Sequence, residues 1–340
     1  MNDATDSTPL PPYPWQADVW QAVQARLAGE RLGHGLLLSG VQGLGKWAFA
    51  DGFARWLLCL EPVGEGANRP CGTCKGCRLT AAGNHPDRMQ LRLADGKHRL
   101  GIDAIRTIPG FLSLTSQYGG YRVALIDAAE RMTVAAANAL LKTLEEPPDG
   151  ACLMLICSRP AQLPITVRSR CQLLRFATPE PAAAIRWLHA ATPTVDPDRW
   201  PLLLTLAGGA PLQAQALATS ELDQRTRALA EQLVALRRGQ RGPVSLAQPW
   251  SKEPRLLVRV LIHLVEDMLR HHAGKPSVIS VMEALCGDLD TIASVELHRF
   301  LARLYQLEGD FDDALNSALL VEDLMIDWLG AVRGNPRHAL

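Results

Sequence analysis

A glycine-rich stretch that ends in a lysine is the part of this sequence with the most recognisable chemistry. It follows the short apolar run 36–38 and fits the phosphate-loop pattern G-x-x-x-x-G-K. In such a loop, backbone N–H groups converge on a phosphate at a helix N-terminus, and the lysine reaches the outer phosphates. The residues that would surround a bound phosphate are Gly40, Gly43, Gly45 and Lys46.

Two positions depart from what a working ATPase needs. Trp47 follows the lysine, where a Ser or Thr hydroxyl would hold Mg²⁺, and an indole offers no oxygen to a hard cation. The apolar run 123–126 is followed by Asp127, a candidate metal carboxylate, but Ala128 stands where many ATPases carry the glutamate that polarises water. We therefore expect a degenerate site without intrinsic ATPase activity, in which binding of ATP or another nucleotide is doubtful.

Three cysteines, Cys71, Cys74 and Cys77, have the spacing of a metal knuckle, because two intervening residues let neighbouring thiolates reach one ion. We expect Cys59, at the end of a predicted helix, to be the fourth ligand of a structural Zn²⁺. A closed set of four thiolates leaves no position for a substrate, so this site would stabilise the fold and not catalyse. Free, reduced cysteines are one alternative. An iron–sulfur cluster is another, but its bacterial pattern needs a further cysteine near Ala81.

The elements that must position these residues alternate between strand and helix over the first half of the chain. Apolar runs predict buried strands at 36–38, 121–126, 152–157 and 172–176, and helical spacing predicts helices at 15–28, 47–60, 100–108 and 133–146. This alternation favours a parallel α/β sheet with helices on both faces. Thr133 is the candidate N-cap of the last of these helices, and Pro147 follows its end.

Beyond residue 178 the pattern is helical almost throughout, with helical segments predicted at 179–189, 202–219, 255–272, 294–308 and 311–332, the second of them broken by Gly208-Gly209. We expect three domains. They are an ATPase-like α/β domain at 1–177 with a zinc module inserted near 59–77, a small helical domain at 178–222, and an all-helical domain at 223–340. The remaining cysteines are scattered and predicted to be core residues: Cys152, Cys157, Cys171 and Cys286.

Composition limits the partners and the location. The 340 residues carry 35 basic and 35 acidic side chains, so bulk electrostatic attraction does not favour nucleic-acid binding by the chain alone. The first residues lack the basic and apolar regions of a signal peptide, and the longest apolar run, 151–157, is too short to span a membrane. Eight cysteines suit a reducing compartment, so we expect a cytoplasmic protein without a membrane partner.

Several short motifs together resemble the bacterial clamp-loader AAA+ proteins. The most specific is the run from Asn138 to Pro147, N-A-L-L-K-T-L-E-E-P. The other motifs are Tyr13-Pro14-Trp15, His34, the Cys71/Cys74/Cys77 knuckle, His85-Pro86-Asp87 and Ser169-Arg170-Cys171. The resemblance is densest over 13–176. It is thinner beyond, where Asn316, Leu320, Glu322 and Leu324 match a pattern of the C-terminal domain.

The resemblance implies a subunit with an ATPase-like domain, a helical lid and a helical collar that joins five subunits into a ring. In the family, this ring opens a sliding clamp and places it on primed DNA during replication. It is part of a DNA-directed DNA polymerase holoenzyme, a nucleotidyltransferase. The partners implied are motor subunits of the gamma/tau type, a delta subunit, the clamp and primed DNA.

Motor subunits of the family keep a hydroxyl after the phosphate-loop lysine, a catalytic glutamate and an arginine in the lid. This sequence lacks all three, since Gly208-Gly209 is followed by Ala210-Pro211 and not by an arginine. It therefore resembles a non-hydrolysing member. The sequence does keep one functional residue of the family, Arg170. By resemblance it is an arginine finger presented in trans to ATP on the neighbouring motor subunit. For Arg168 and Arg175 we expect surface or ion-paired roles.

Two other functions fit parts of the sequence. An active ATPase motor would bind Mg²⁺ through other groups, and its turnover would be abolished by Lys46→Ala. A zinc-knuckle module would bind DNA in a salt-dependent way and weaken when Lys75 and Arg78 are neutralised. The balanced charge and the few aromatic residues near the knuckle count against the DNA-binding module.

Overall fold

A computed structural model describes residues 11–61, 69–93, 99–219, 222–274, 292–309 and 317–333. The chain divides into two compact units, with the boundary between Pro179 and Glu180. The described part of the first unit is built on a parallel sheet, and that of the second is helical. Cys286, Asn316 and the start of the helix predicted at 311 lie outside the described residues.

The first unit contains a five-stranded parallel sheet in the order β2-β3-β4-β1-β5. The strands are β1 Gly35–Ser39, β2 Arg88–Leu91, β3 Arg122–Ile126, β4 Ala151–Cys157 and β5 Gln172–Arg175. The three inner strands are almost entirely apolar and buried, as a parallel sheet covered by helices on both faces requires. The four strands predicted from apolar runs are confirmed.

Strand β2 is the one strand of this sheet that the sequence did not predict. It has four residues, which alternate polar and apolar, and it lies at the edge of the sheet with incomplete burial. An edge strand pairs on one side only and does not need a continuous apolar run. The apolar pattern therefore gave no signal for this strand.

The helices of the first unit are α1 Ala17–Ala28, α2 Lys46–Leu57, α3 Lys75–Ala81, α4 Ile102–Leu112, α5 Val134–Ala139, α6 Leu141–Glu145 and α7 Ile165–Arg168. Thr133 caps α5 as predicted, because its Oγ1 accepts a hydrogen bond from the Ala136 N–H at 3.2 Å. The single helix predicted at 133–146 is divided in two. At the junction, the Leu140 N–H bonds to the Ala137 carbonyl, which tightens the turn between α5 and α6.

Aromatic packing fixes the position of α2. Trp20 of α1 meets Phe49, Phe53 and Trp56 edge-on, at centroid distances of 5.5, 5.9 and 6.4 Å. Phe49 also meets Phe176, which follows β5. A second apolar cluster packs side chains of β1, β3 and β4 against α4, α5 and α6. Close packing of this kind leaves little freedom for the N-terminus of α2, where the phosphate loop ends.

The second unit contains α8 Pro181–Ala191, α9 Trp200–Leu206, α10 Pro211–Ala218, α11 Leu222–Arg237, α12 Pro243–Ala247, α13 Pro254–His272, α14 Ser294–Gly309 and α15 Ser317–Arg333. A small apolar cluster joins α8, α9 and α10, and a larger one joins α11 to α15. Helix α9 contributes to both, since Trp200 lies in the small cluster and Leu206 in the large one. The short helices α3, α7 and α12 and the longer α11 were not predicted from the sequence. The division at residue 222 into a lid and a collar stays a prediction. No helix that the structure describes combines the length and apolar character needed to cross a bilayer.

Candidate functional site

The phosphate loop lies at the carboxyl end of β1, between that strand and α2. Gly43 and Gly45 adopt φ angles of 88° and 76°, in the left-handed region that glycine enters without strain. Strand β3 is followed by Asp127, and β4 by Ser158. Because the carboxyl ends of parallel strands meet at one edge of a sheet, the fold brings the loop, Asp127 and Ser158 together.

Lys46 is buried, and its ammonium group is fully engaged by the protein. Its Nζ donates to the Gly40 carbonyl at 2.6 Å, to the Val41 carbonyl at 2.8 Å and to the Ser158 hydroxyl at 3.1 Å. An ammonium group has three N–H donors, so these bonds use all of them. Burial lowers the pKa of Lys46, and the nearby Glu130 carboxylate opposes that shift. A phosphate would have to displace one of these oxygens to reach the lysine.

The segment before α1 covers the last turn of the loop. Trp15 Nε1 and Gln16 Nε2 donate to the Leu44 carbonyl at 3.0 and 2.9 Å, and Gln16 Nε2 also reaches the Gly45 carbonyl at 3.0 Å. The Tyr13 ring stacks on Trp15 at 5.0 Å and lies against Gly45, where an added Cβ atom would come within 2.4 Å of the ring. Burial raises the pKa of Tyr13. These contacts enclose the loop on this side.

The positions that would handle Mg²⁺ and water carry other groups. The Arg92 guanidinium lies over the indole of Trp47, 3.6 Å from the ring centroid, so a cation already covers one face of the ring. Asp127 Oδ1 accepts from the Ala128 N–H at 3.0 Å. Glu130 Oε1 accepts at 3.1 Å from the backbone N–H that follows β4, which ties this carboxylate to the sheet. The hydroxyl and the glutamate of an ATPase have no equivalent at positions 47 and 128.

The four predicted cysteines form a cluster of their own. The Sγ atoms of Cys59, Cys71, Cys74 and Cys77 all lie within 4.8 Å of one another, and those of Cys71 and Cys77 are 3.9 Å apart. Four thiolates bound to zinc at about 2.3 Å in a tetrahedron would place their sulfur atoms about 3.8 Å apart. The cluster therefore has the ligand type and the spacing that could hold a metal ion.

Backbone N–H groups are directed at these sulfur atoms, which favours their charged form. The Cys74 N–H donates to Cys71 Sγ, and the Cys77 N–H donates to Cys74 Sγ, both at 3.3 Å. Burial alone would raise the pKa of Cys71, but hydrogen bonds from Cys74 and Thr73 lower this pKa to about 6. Outside the cluster, Cys152 and Cys157 are buried in β4, as predicted, and Cys171 is half-buried.

Basic side chains join the cysteine cluster to the rest of the first unit. The Arg69 guanidinium donates to the Cys59 carbonyl and lies over the ring of Trp56, which belongs to α2. The Lys75 ammonium lies 5.1 Å from the centroid of the Tyr118 ring. These contacts hold the cluster against α2 and the loop that precedes β3.

Arg170 lies at the amino ends of the parallel strands, opposite the phosphate loop, in the turn between α7 and β5. Its side chain is 37% exposed, and it pairs with Glu145 at the end of α6, with Nη2 and Oε1 2.6 Å apart. The amino end and the carboxyl end of the sheet are separated by the length of β1, which has five residues and spans about 16 Å. Arg170 therefore does not reach the phosphate loop of its own chain.

Three contacts of these sites could not be read from the sequence, because each joins positions far apart in the chain. Ser158 is 112 residues from Lys46, Gln16 is 28 residues from Leu44, and Glu145 is 25 residues from Arg170. The one usable signal was that Ser158 directly follows a buried strand, so it had to lie at the edge of the sheet that carries the loop.

The fold and the loop define an ATPase-like domain of the AAA+ class. A five-stranded parallel sheet carries a glycine loop between β1 and α2 and an acidic residue after β3, and a helical unit follows it in the chain. This is the α/β class expected from the sequence, with the inserted cysteine module and the helical C-terminal part.

Comparison with known proteins identifies the family. The family model described as DNA polymerase III, delta subunit, matches residues 15–180. DNA polymerase III subunit delta′ of Pseudomonas aeruginosa is 38% identical over 326 residues, which cover 93% of this chain and 97% of that protein. The subunit delta′ of Escherichia coli K12 is 33% identical over 325 residues, which cover 92% and 94%.

Among solved structures, a gamma-subunit-related protein of Thermotoga maritima is 17% identical, with a TM-score of 0.48, and the match covers 92% of this chain and 99% of that one. The relatives matched over nearly their whole length carry the identification. The chain belongs to the family of bacterial DNA polymerase III delta′ subunits, which are clamp-loader AAA+ proteins.

Replacing Gly45 with alanine tests how closely the Tyr13 ring lies against the loop. Gly45→Ala adds a Cβ atom within 2.4 Å of that ring, whereas Gly83→Ala, at φ 75°, meets no atom within 4 Å. Both variants carry the strain of a left-handed residue, about 1–2 kcal/mol, so their difference reports the contacts of the added Cβ with the Tyr13 ring and with Gln16 Nε2, which lies 2.9 Å from it. We expect Gly45→Ala to lower the free energy of unfolding in urea by about 1–3 kcal/mol more than Gly83→Ala. Equal losses, or a difference that Tyr13→Ala does not reduce at all, would contradict this packing.

Proposed function

We propose that this chain is the non-hydrolysing stator of a DNA polymerase III clamp-loader complex. The observation that carries the proposal is that the protein's own groups fill the phosphate loop, where a nucleotide phosphate would bind. All three donors of Lys46 are bonded to protein oxygens, Tyr13 covers Gly45, and Trp47 is paired with Arg92. A site that does not exchange nucleotide has no ligand to shift it between conformations, so the subunit keeps one shape while its neighbours cycle.

The presence of Lys46 is consistent with this role. Its ammonium group satisfies the carbonyls of Gly40 and Val41 and contacts the hydroxyl of Ser158. Buried polar groups without partners cost free energy, so the lysine stabilises the loop without a nucleotide. The loop residues Gly40, Gly43 and Gly45 and the carboxylate of Asp127 would then be structural remnants of a nucleotide site.

The contribution of the chain to catalysis would come from Arg170. A guanidinium is permanently charged and matches phosphate oxygens, and an arginine supplied in trans stabilises the charge that develops during phosphoryl transfer. The exposure of Arg170, and its place at the edge of the sheet away from the chain's own loop, support a role at a neighbouring subunit. We therefore infer that it is the arginine finger for the adjacent motor subunit.

The partners follow from this role. They are motor subunits of the gamma/tau type, whose ATP Arg170 would contact, and a delta subunit, all within a cytoplasmic complex. The sliding clamp and primed DNA would be met through that complex. A chain with 35 basic and 35 acidic residues fits DNA contact through an assembly better than binding by itself. The helical second unit would supply the collar of the ring.

The four clustered cysteines would hold one structural Zn²⁺. Their sulfur atoms lie within 4.8 Å of one another, with one pair at 3.9 Å, close to the separation in a tetrahedral four-thiolate centre. N–H groups donate to the sulfur atoms of Cys71 and Cys74, whereas burial raises the pKa of Cys77. Such a centre is closed, so it has no position for a substrate. Metal coordination would contribute directly to the folding free energy of the segment around Cys59, Cys71, Cys74 and Cys77.

ATP hydrolysis by the purified chain alone tests the stator role. We expect the wild-type chain and Lys46→Ala to give the same background rate, because the loop lacks the hydroxyl and the glutamate of an ATPase. Steady-state phosphate release measures both. A rate for the wild-type chain that Lys46→Ala abolishes would mean that the chain is an active motor.

The assembled loader tests the arginine finger. We expect Arg170→Ala to depress hydrolysis at the neighbouring site by up to about 10³-fold, since the developing charge on the phosphates loses its partner. The ATPase of the complex with clamp and primed DNA measures this loss as a share of total turnover. Arg175→Ala, at an exposed arginine five residues further on, is the matched control and should leave turnover unchanged. An unchanged rate for Arg170→Ala in a fully assembled complex would refute the finger.

Metal analysis tests the zinc proposal. We expect about one zinc ion per purified chain. Cys74→Ser should lose most of this zinc and also lower thermal stability, because three ligands hold the ion more weakly than four. Cys171→Ser, outside the cluster, should keep the metal. A zinc-free wild-type chain, or zinc retained in full by Cys74→Ser, would contradict the assignment.

A further inference from the structure

Arg170 is held by two neighbouring segments, and its ion pair has an unusual geometry. Both Nε and Nη2 approach the same carboxylate oxygen, Oε1 of Glu145, at 2.7 and 2.6 Å. On the other side, Nη1 donates to the Thr166 carbonyl at 3.0 Å. The guanidinium plane is therefore fixed from two directions, by the end of α6 and by α7.

The Arg170 guanidinium has more N–H donors than its neighbours in the chain use. A guanidinium has five N–H groups. Nε donates to Glu145 and Nη1 donates to Thr166, and Nη2 is in ion-pair contact with the same Glu145 oxygen. The nearest further acceptor is the Ser169 hydroxyl, 3.5 Å from Nη1, a distance at which a hydrogen bond is weak. Among the described residues, one N–H on each terminal nitrogen is thus left without a strong acceptor. Two such donors suit the oxygens of a phosphate.

Glu145 is itself anchored through the residue before it. The Leu144 carbonyl accepts a hydrogen bond from His34 Nε2 at 2.7 Å, and the Leu144 side chain is buried. At Gly35, an added Cβ atom would lie 2.7 Å from the Leu144 side chain and 3.7 Å from the Arg170 carbonyl. The start of β1 therefore lies against both the segment that carries Glu145 and the segment that carries Arg170.

We propose that Glu145 is a positioning residue for Arg170: its carboxylate holds the guanidinium so that the remaining N–H groups face the ATP of the neighbouring subunit. The inference rests on the proposed role of Arg170 as the finger. Glu145 makes no contact with that ATP in this scheme. It acts by removing the rotational freedom of a long side chain that must meet a phosphate in one orientation.

The exposure of the pair makes this role separable from stability. Arg170 and Glu145 are 37% and 49% exposed, and ion pairs this accessible to water contribute little to folding. Removing the Glu145 carboxylate should therefore leave the unfolding transition and the assembly of the complex unchanged. A loss of turnover would then report the orientation of Arg170 and not the integrity of the subunit.

The test measures the Arg170-dependent ATP turnover, defined as the rate of the wild-type complex minus that of the Arg170→Ala complex, with clamp and primed DNA present. We expect Glu145→Ala to lower the kcat of this component by about 10-fold, with the KM for ATP unchanged. Glu145→Gln keeps an acceptor oxygen and should show an intermediate loss. Glu146→Ala removes a neighbouring exposed carboxylate and should behave as wild type. In the Arg170→Ala background, Glu145→Ala should have no further effect.

The outcomes separate the two proposals. If Arg170→Ala has no effect, the finger assignment fails. If Arg170→Ala lowers turnover but Glu145→Ala matches Glu146→Ala, the finger stands and the positioning role is wrong. Faster turnover with Glu145→Ala would mean that the carboxylate restrains Arg170 away from the phosphate, and this also overturns the proposal. An equal loss in the Arg170→Ala background would show that Glu145 acts through another group.

Discussion

The place of β1 between β4 and β5 is the constraint on which the rest of the first unit depends. Its residues Leu36, Leu37 and Leu38 are at most 2% exposed and pair in register with both neighbouring strands. Burying each of these side chains contributes about 1.5–3 kcal/mol, and moving the strand would break hydrogen bonds on both sides at once. Both ends of β1 are therefore fixed in space, with the phosphate loop at one and the turn around Arg170 close to the other.

The two ends satisfy their charged groups in opposite ways. At the carboxyl end, Lys46 is buried and bonded to three protein oxygens, and the N-terminal segment covers the loop. At the amino end, Arg170 is exposed, and part of its donor capacity has no strong acceptor within the described residues. A charge satisfied inside the protein stabilises one conformation, whereas a charge with spare donors can serve a partner. This contrast is the physical basis for the proposed division between an inert nucleotide site and an active finger.

Helix α2 links the other two sites. It begins at Lys46 in the phosphate loop and ends at Leu57, just before Cys59. Its aromatic side chains pack on α1, and Arg69 from the cysteine segment lies over Trp56. The loop and the cysteine cluster are thus attached to opposite ends of one rigid element. A metal ion at the cluster would stabilise the end of α2 without taking part in chemistry at its start.

Much of the fold and the types of the functional residues could be predicted because they leave local patterns. Apolar runs predicted four of the five strands, glycine spacing predicted the loop, and cysteine spacing predicted the knuckle, whose sulfur atoms lie together with that of Cys59. Edge strand β2 left no such pattern, since it forms by pairing with β3, which is distant in the chain. The same reason hid the contacts of Ser158 with Lys46 and of Glu145 with Arg170. The local sequence alone determines the types of the functional residues and their spacing along the chain. The tertiary structure decides which group pairs with a buried or exposed charge, because the two partners are far apart in the chain and meet only when it packs.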